Sequence, residues 1–221
     1  MSWMMKNVSI IRNHGGAEAL GPSFFTASTS FYTPLTIAKV LTAMFLLMLW
    51  ILIPKLKAVM LVRSEARGIY FAADLIPAII FSLLFAIAFE AASVTCMLIV
   101  FGRDMVLASG IIQLSLLDLI NLFTYFLKMT ALFFFVRVVT NNRSAIVIIL
   151  IWNILQDEFR DRFDMLWFPL NDLGKLGDVA TGFESKSVYI GTSVRMFVLA
   201  TIFFIAAWLI FQKKDILKDE K

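Results

Sequence analysis

The chain has very few residues of the types that build most catalytic and metal sites. It contains one cysteine, Cys96, and one histidine, His14, among 221 residues. A single cysteine excludes an internal disulfide and a paired-cysteine metal site, and zinc motifs need two histidines or several cysteines. The phosphate-cradling GxxxxGKS/T loop is also missing. We therefore expect no enzymatic activity and no cofactor in this chain, and we interpret Cys96 as a buried thiol.

Charged residues are scarce, and apolar residues dominate. Hydrophobic residues make up 60% of the chain, and its mean hydropathy is +0.85. A soluble domain of this size cannot hide so much apolar surface, whereas apolar runs of about 20 residues can cross a bilayer as helices. The sequence therefore predicts an all-α, polytopic transmembrane helix bundle, which has the lipid bilayer as a partner and does not bind nucleic acid.

Five apolar runs bordered by charged or polar residues define the predicted spans. They cover about 31–53, 75–101, 106–139, 142–159 and 189–211, with four or six spans as alternatives. Together they form one domain over 31–221, after a polar N-terminal lead-in over 1–30. The fourth apolar run, Ala145–Leu155, must extend to about 142–159, because about 11 residues rising 1.5 Å each fall short of a 30 Å core. The third run is long enough to tilt or kink.

The distribution of basic residues predicts the orientation. Basic side chains are concentrated in the loop over 54–74, beside the short turn after the third span, and in the tail over 212–221. With five crossings, these three groups lie on one side, as the positive-inside rule requires of cytoplasmic segments. We expect a bacterial plasma membrane protein with a cytoplasmic C-terminus, an external N-terminus and an external loop over 156–188.

The external loop begins with an amphipathic segment, QDEFRDRFDMLWFPL. Phe159, Phe163 and Leu166 recur at helical spacing, and charged residues fill the rest of the turn. This pattern predicts an interfacial helix or a lid over the bundle, which ends at Pro169 and a turn over Asn171–Gly174. We interpret the remainder of the loop as turn-rich, since it contains several glycines.

Polar side chains within the predicted spans are the first candidate site. They recur at steps of three or four in the third span, which places them on one helix face: Ser115, Asp118, Asn121, Tyr125 and Lys128. Glu90, in the second span, is the expected partner of Lys128 or a second acid beside Asp118. An isolated charge in mid-membrane costs about 3 kcal/mol, so these groups should face protein or water. They form either a polar track for translocation or proton relay, or a stripe of interhelical contacts.

The basic cytoplasmic loop is the second candidate site. Its sequence PKLKAVMLVRSEARGI is compatible with a short helix that docks on a soluble partner. Alternatively, its basic residues only anchor the loop to anionic lipid heads, each contributing about 1 kcal/mol. The residues in question are Lys55, Lys57, Arg63, Glu65 and Arg67.

The C-terminal half carries a recognisable order of elements. A long span leads through the turn VVTNNRSA to a short span and an external segment, and a final span runs into FQKKDILKDEK. This order, with Phe211, Lys213, Lys214 and Asp215 in the tail, resembles the second half of ABC-2-type permeases, particularly those of Gram-positive peptide and lantibiotic systems. The resemblance covers about Asn142–Leu217. The chain departs from the family in lacking the first of six spans, and SEARGI only partly matches the family's Glu-x-x-Gly-Thr pattern.

The resemblance implies a permease subunit of an ATP-driven ABC transporter. Its partners would be a soluble ATP-binding subunit and a second copy or a homologous permease, and its cargo a hydrophobic or amphipathic peptide, exported or expelled for immunity. Two other functions stay open on the sequence. The chain is alternatively an accessory or scaffold membrane subunit, or an ion- or proton-coupled carrier that uses Glu90, Asp118 and Lys128.

Overall fold

All regular elements in the described part of the protein are helices, which confirms the predicted all-α class. The computed structural model describes Leu20 and residues 36–53, 67–160 and 169–213. A π-helical segment, Ile37–Leu41, leads into the first α-helix. The α-helices are α1 (Thr42–Leu52), α2 (Arg67–Phe101), α3 (Arg103–Ala108), α4 (Ile111–Val139), α5 (Asn142–Arg160), α6 (Pro169–Ala180) and α7 (Lys186–Lys213).

Three of these helices are long and apolar enough to cross a membrane. They provide the stretches Phe71–Phe101, Ile111–Val139 and Lys186–Lys213. The stretches Ile37–Leu52 and Asn142–Gln156 are also apolar but shorter. The structure is thus consistent with an integral membrane protein, while the count of five spans stays a prediction.

Helix α4 is the centre of the bundle. It contacts α1, α2, α3, α5, α6 and α7. In its most apolar stretch 67% of the residues are buried, against 17% in α2 and 22% in α7. The outer faces of α2 and α7 expose large apolar side chains such as Leu84 and Ile205, which is the surface that lipid would cover. Around α4, Phe45 packs against Phe85 and Phe126 at ring-centroid distances of 5.3 and 4.8 Å.

The third predicted span, over 106–139, is wrong at its N-terminal end. The chain turns at Ser109 and Gly110, where Gly110 has φ +70°, and α4 begins only at Ile111. A separate helix, α3, lies between α2 and α4, where the predicted spans leave only residues 102–105. Glycine occupies both junctions because Gly102 and Gly110 adopt positive φ, which a side chain disfavours.

The length of α5 agrees with the prediction, whereas the start of α2 does not. The fourth predicted span does extend beyond its apolar run: α5 covers 19 residues, or about 28 Å. Helix α2 begins at Arg67, so the last part of the predicted 54–74 loop is helical. The helix thus begins eight residues before the apolar run that starts at Leu75.

The turn-rich segment predicted after Pro169 is also wrong. Helix α6 starts at this proline, which fits the first helical position because the missing N–H has no intrahelical partner there. Leu170, Leu173 and Leu176 follow at steps of three and are buried. Burial of this stripe outweighs the low helix propensity of the two glycines within α6. Of the predicted interfacial helix, only the part to Arg160 is described, as the end of α5.

Some predictions fall outside the described residues. These include most of the N-terminal lead-in, of which only Leu20 is described and is fully buried, and the basic segment 54–66 and the tail from residue 214. Cys96, by contrast, is described and exposed, so its interpretation as a buried thiol is wrong. It lies on the part of α2 that faces away from the bundle.

A buried polar cluster around the central helix

The five polar residues predicted to share one face of the third span are all buried on α4. Ser115, Asp118, Asn121, Tyr125 and Lys128 are each at most 5% exposed. A polar group buried in apolar surroundings is unfavourable unless it finds a partner. The partners of these five side chains therefore define what the face can do.

Asp118 lies in an acidic pair. Its carboxylate accepts a hydrogen bond from the hydroxyl of Tyr189 on α7, and the carboxyl group of Glu90 on α2 lies close enough to interact with it electrostatically. Glu90 thus takes the position of a second acid beside Asp118. Two buried acids thus lie side by side between α2 and α4.

Asn121 connects three helices. Its Nδ2 donates to Tyr189 Oη at 2.9 Å, and it lies 3.5 Å from the backbone carbonyl of Asp172 on α6. Its Oδ1 accepts from Ser193 Oγ at 3.2 Å and from Thr192 Oγ1 at 3.4 Å, both on α7. Both the nitrogen and the oxygen of this amide therefore form hydrogen bonds to other helices.

Tyr125 makes the corresponding connection on the other side of α4. Its Oη lies 2.9 Å from Thr42 Oγ1 on α1 and accepts from Asn153 Nδ2 on α5 at 3.3 Å. Gln156 Nε2 in turn donates to Asn153 Oδ1 at 3.4 Å. This group joins α1, α4 and α5.

Lys128, like Ser115, lacks the interhelical hydrogen bonds that Asn121 and Tyr125 make. Its Nζ lies 4.5 Å from the centroid of the Tyr125 ring and has no hydrogen-bond acceptor among the described residues. The carboxylate of Asp172 is close enough to attract it electrostatically. Asp172 itself is fully buried, and its Oδ1 lies 2.6 Å from Arg195 Nη2 on α7. Asp172 therefore forms an ion pair with Arg195 and acts on Lys128 only through its charge.

A further ion pair lies at the opposite end of α4. Arg137 Nη1 donates to Asp74 Oδ2 at 3.1 Å, which ties the C-terminal end of α4 to the beginning of α2. The guanidinium also lies over the Phe134 ring, 5.8 Å from its centroid. Arg137 is one of the basic residues beside the turn after the third predicted span, and the structure shows it buried.

Sequence reasoning missed the partners that come from other helices. Asn153 and Gln156 interrupt an apolar helix at a step of three, and this signal was available. No signal in the sequence marked Asp172, because its segment was predicted to be a turn. Tyr189 and Arg195 lie at the start of an apolar run, where polar side chains are ordinary.

The predicted coupling loop stays largely undescribed. Lys55, Lys57, Arg63 and Glu65 lie outside the described residues, and Arg67 is the first residue of α2. Within the described ranges, no group of three histidine, cysteine, aspartate or glutamate side chains is arranged to hold a metal ion.

Comparison with known proteins adds no assignment. No protein family, curated protein or solved structure matches the chain. The resemblance to ABC-2-type permeases therefore stays a prediction from sequence.

Proposed function

We propose that this chain is the membrane-spanning subunit of an ATP-driven transporter of the ABC-2 type. It moves a hydrophobic or amphipathic substrate such as a peptide, in export or immunity, while a separate soluble subunit hydrolyses ATP. A second copy of the chain, or a homologous permease, completes the assembly in the bacterial plasma membrane, with the C-terminus in the cytoplasm.

The observation that carries the proposal is the way α4 is connected. Polar side chains along its length form discrete hydrogen bonds to α1, α2, α5, α6 and α7. A rigid central helix with such contacts transmits a displacement at one end of a bundle to the other, which is what alternating access requires.

The ion pair between Arg137 and Asp74, at the C-terminal end of α4, supports the same function. Asp74 is two turns into α2, which directly follows the predicted coupling loop, and it binds Arg137 on α4. A force applied to the loop by a soluble ATPase would reach the central helix through this pair. The arrangement thus provides a mechanical path from the predicted docking segment to the buried polar cluster.

Co-purification tests the proposal. The full chain, tagged and expressed in its native host, is expected to retain a stoichiometric soluble subunit that hydrolyses ATP. Replacement of Arg63 and Arg67 by alanine should release that subunit, because these residues form the predicted docking surface. The matched control replaces Lys213 and Lys214, which removes the same charge on the same predicted side and should retain the subunit. Recovery of membrane-embedded partners alone would contradict the proposal.

A second candidate is an accessory or scaffold membrane subunit that does not transport. The observation in its favour is that Asn121 and Tyr125 are bonded fully between helices, as structural contacts in membrane bundles are. In that case the chain should co-purify in a fixed ratio with another membrane chain, and substrate transport by the complex should survive the Arg63 and Arg67 replacements.

A third candidate is an ion- or proton-coupled carrier. The observation in its favour is that two acids, Glu90 and Asp118, are buried side by side within the bundle. The chain alone in proteoliposomes would then move substrate in response to a pH gradient, without any ATPase.

A further inference from the structure

A groove lies between the C-terminal ends of α4 and α7. Closer to the middle of the bundle the two helices are in contact, with the ring centroids of Phe135 and Phe203 5.7 Å apart. Beyond that contact the groove encloses about 440 Å³. The residues that line it are Val138, Val139, Leu209, Ile210 and Lys213. Four of them are apolar, and the fifth is basic.

The apolar and basic parts of the groove follow each other along α7. Leu209 is 53% exposed and lies four residues, or about 6 Å, before Lys213. Lys213 is the last residue of α7, and its side chain is exposed. A phospholipid at the surface of a membrane has the same order, since its acyl chains begin beneath its charged headgroup.

The charge of Lys213 has no ion-pair partner among the described residues. All the other residues that line the groove are apolar. Asp74 lines the adjoining pocket, which shares Val138 with the groove, but its carboxylate is bound to Arg137 at 3.1 Å. An occupant of the groove therefore meets apolar side chains and one uncompensated positive charge.

We propose that this groove binds an anionic phospholipid of the surrounding membrane. The part of an acyl chain next to the headgroup lies against the four apolar side chains, and the phosphate binds the ammonium group of Lys213. Basic pockets between membrane helices bind the headgroups of anionic lipids in this way. The proposal goes beyond the transport function and does not depend on it.

The lining favours a lipid over a peptide as the occupant. A peptide in an apolar groove needs partners for its backbone N–H and C=O groups. The side chains of Val138, Val139, Leu209 and Ile210 provide none, whereas an acyl chain requires none. The bound lipid contacts both α4 and α7, so it should stabilise the folded chain by mass action.

Native mass spectrometry of the full chain in detergent tests the proposal, because it counts the lipids bound to each molecule. The probes are phosphatidylglycerol and the zwitterionic phosphatidylcholine with identical acyl chains. One phosphatidylglycerol should bind about fivefold more tightly than phosphatidylcholine, the factor that corresponds to about 1 kcal/mol for one basic residue near an anionic lipid. Equal affinities for the two lipids would overturn the proposal.

Two lysines of α7 provide a matched pair for the charge. Lys213→Gln should abolish the preference for phosphatidylglycerol. Lys186→Gln should retain it, because Lys186 is also exposed but is the first residue of the same helix, at its other end. A preference that survives in Lys213→Gln, or that is lost equally in both variants, would contradict a site at the groove.

Tryptophan substitutions test the apolar part of the groove. Leu209→Trp should fill the groove and weaken the binding of both lipids severalfold, and Val139→Trp does the same from α4 if the first variant does not fold. Ile202→Trp is the control, since Ile202 is also 53% exposed on α7 but does not line the groove. Native affinity in the folded groove variants would refute the proposal.

Other occupants of the groove give different results in the same measurement. An excess of sn-glycerol 3-phosphate, which has the charge but no acyl chain, should not displace phosphatidylglycerol; displacement would instead indicate a site for free phosphate. A dimer of the native chain that Leu209→Trp converts to a monomer would assign the groove to a second copy and overturn the proposal. These measurements use the chain without an ATPase, so their failure is distinct from a failure to co-purify one.

Discussion

At the scale of single residues, the buried face of α4 contains two kinds of polar group. Asn121 uses both ends of its amide in hydrogen bonds to other helices. Lys128, two turns further along, has no acceptor for its ammonium among the described residues. The first kind stabilises the folded bundle, while the second kind is unfavourable for folding. The two kinds should therefore respond in opposite directions to apolar replacement.

Asn121→Leu should destabilise the protein. The replacement removes the bonds to Tyr189, Ser193 and Thr192 and leaves buried hydroxyls without this partner. Interhelical bonds in membranes contribute about 0.6–2 kcal/mol each, so we expect a loss of at least about 1 kcal/mol. Thermal unfolding in detergent measures it. Thr201→Val, on the exposed face of α7, is the control and should leave Tm unchanged; equal Tm values for both variants would contradict the role of Asn121.

Lys128→Met should leave the protein at least as stable as the native chain. A lysine in mid-membrane costs about 3 kcal/mol, and methionine has a similar shape without the charge. Thermal unfolding and yield of folded protein measure the effect. Lys175→Met is the control, since that side chain is partly exposed and its removal should change stability by less than about 1 kcal/mol. A large loss of stability in Lys128→Met would show that the ammonium is a structural contact, and normal folding with lost transport would show a functional one.

Burial of a residue inside the bundle can be predicted only where the sequence distinguishes the internal face of a helix from its lipid-facing side. Polar residues at helical spacing mark it well, and Ser115, Asp118 and Asn121 are buried as a shared face. Cys96 shows the opposite case: its expected burial was wrong, because both the lipid-facing and the internal faces of α2 are apolar and hydropathy cannot distinguish them. Partners such as Asp172 could not be predicted, since they come from an element that was not expected.

At the scale of elements, glycine had two different effects that the sequence alone does not separate. Gly110 ends a helix, since its φ of +70° breaks an apolar run that otherwise looks continuous. The glycines of α6 do not end a helix, because buried leucines stabilise it. Helix propensity is a weak preference, and tertiary packing decides in each case. The separate helix α3, the start of α4 and the helix α6 therefore could not be predicted from the sequence.

Gly110→Ala and Gly191→Ala should have opposite effects on stability. An alanine at Gly110 meets no atom within 4 Å, but positive φ costs a non-glycine residue about 1–2 kcal/mol. An alanine at Gly191, within α7, also meets no atom within 4 Å and should gain up to about 1 kcal/mol from helix propensity. Unfolding midpoints compare the two directly. A stabilising Gly110→Ala would mean that α3 and α4 do not require this junction.

At the scale of the whole molecule, the distribution of buried and exposed residues is consistent with a protein in lipid. Charged and amide groups such as Lys128, Asp172 and Asn121 are buried, while large apolar residues such as Ile99 and Ile202 are exposed. A water-soluble protein shows the reverse. The long helices also run between two distinct ends, one with the α4–α5 turn and the end of α7, the other with α3 and α6.

The two ends should therefore lie on opposite sides of a membrane, and cysteine labelling in whole cells tests this. With Cys96 replaced by alanine, a cysteine at Asn141, in the α4–α5 turn, should be protected from an impermeant maleimide until the cells are opened, because its end carries the basic residues that stay cytoplasmic. A cysteine at Thr181, between α6 and α7, should react in intact cells. Both sites are exposed, so burial does not explain a difference.

A cysteine at Thr201, on the exposed middle of α7, should resist labelling in both cases because lipid covers it. Reaction of Asn141→Cys and Thr181→Cys from the same side would require a different path for α5 or α7 through the bilayer, and reaction at Thr201 would place the apolar face of α7 against water or another chain.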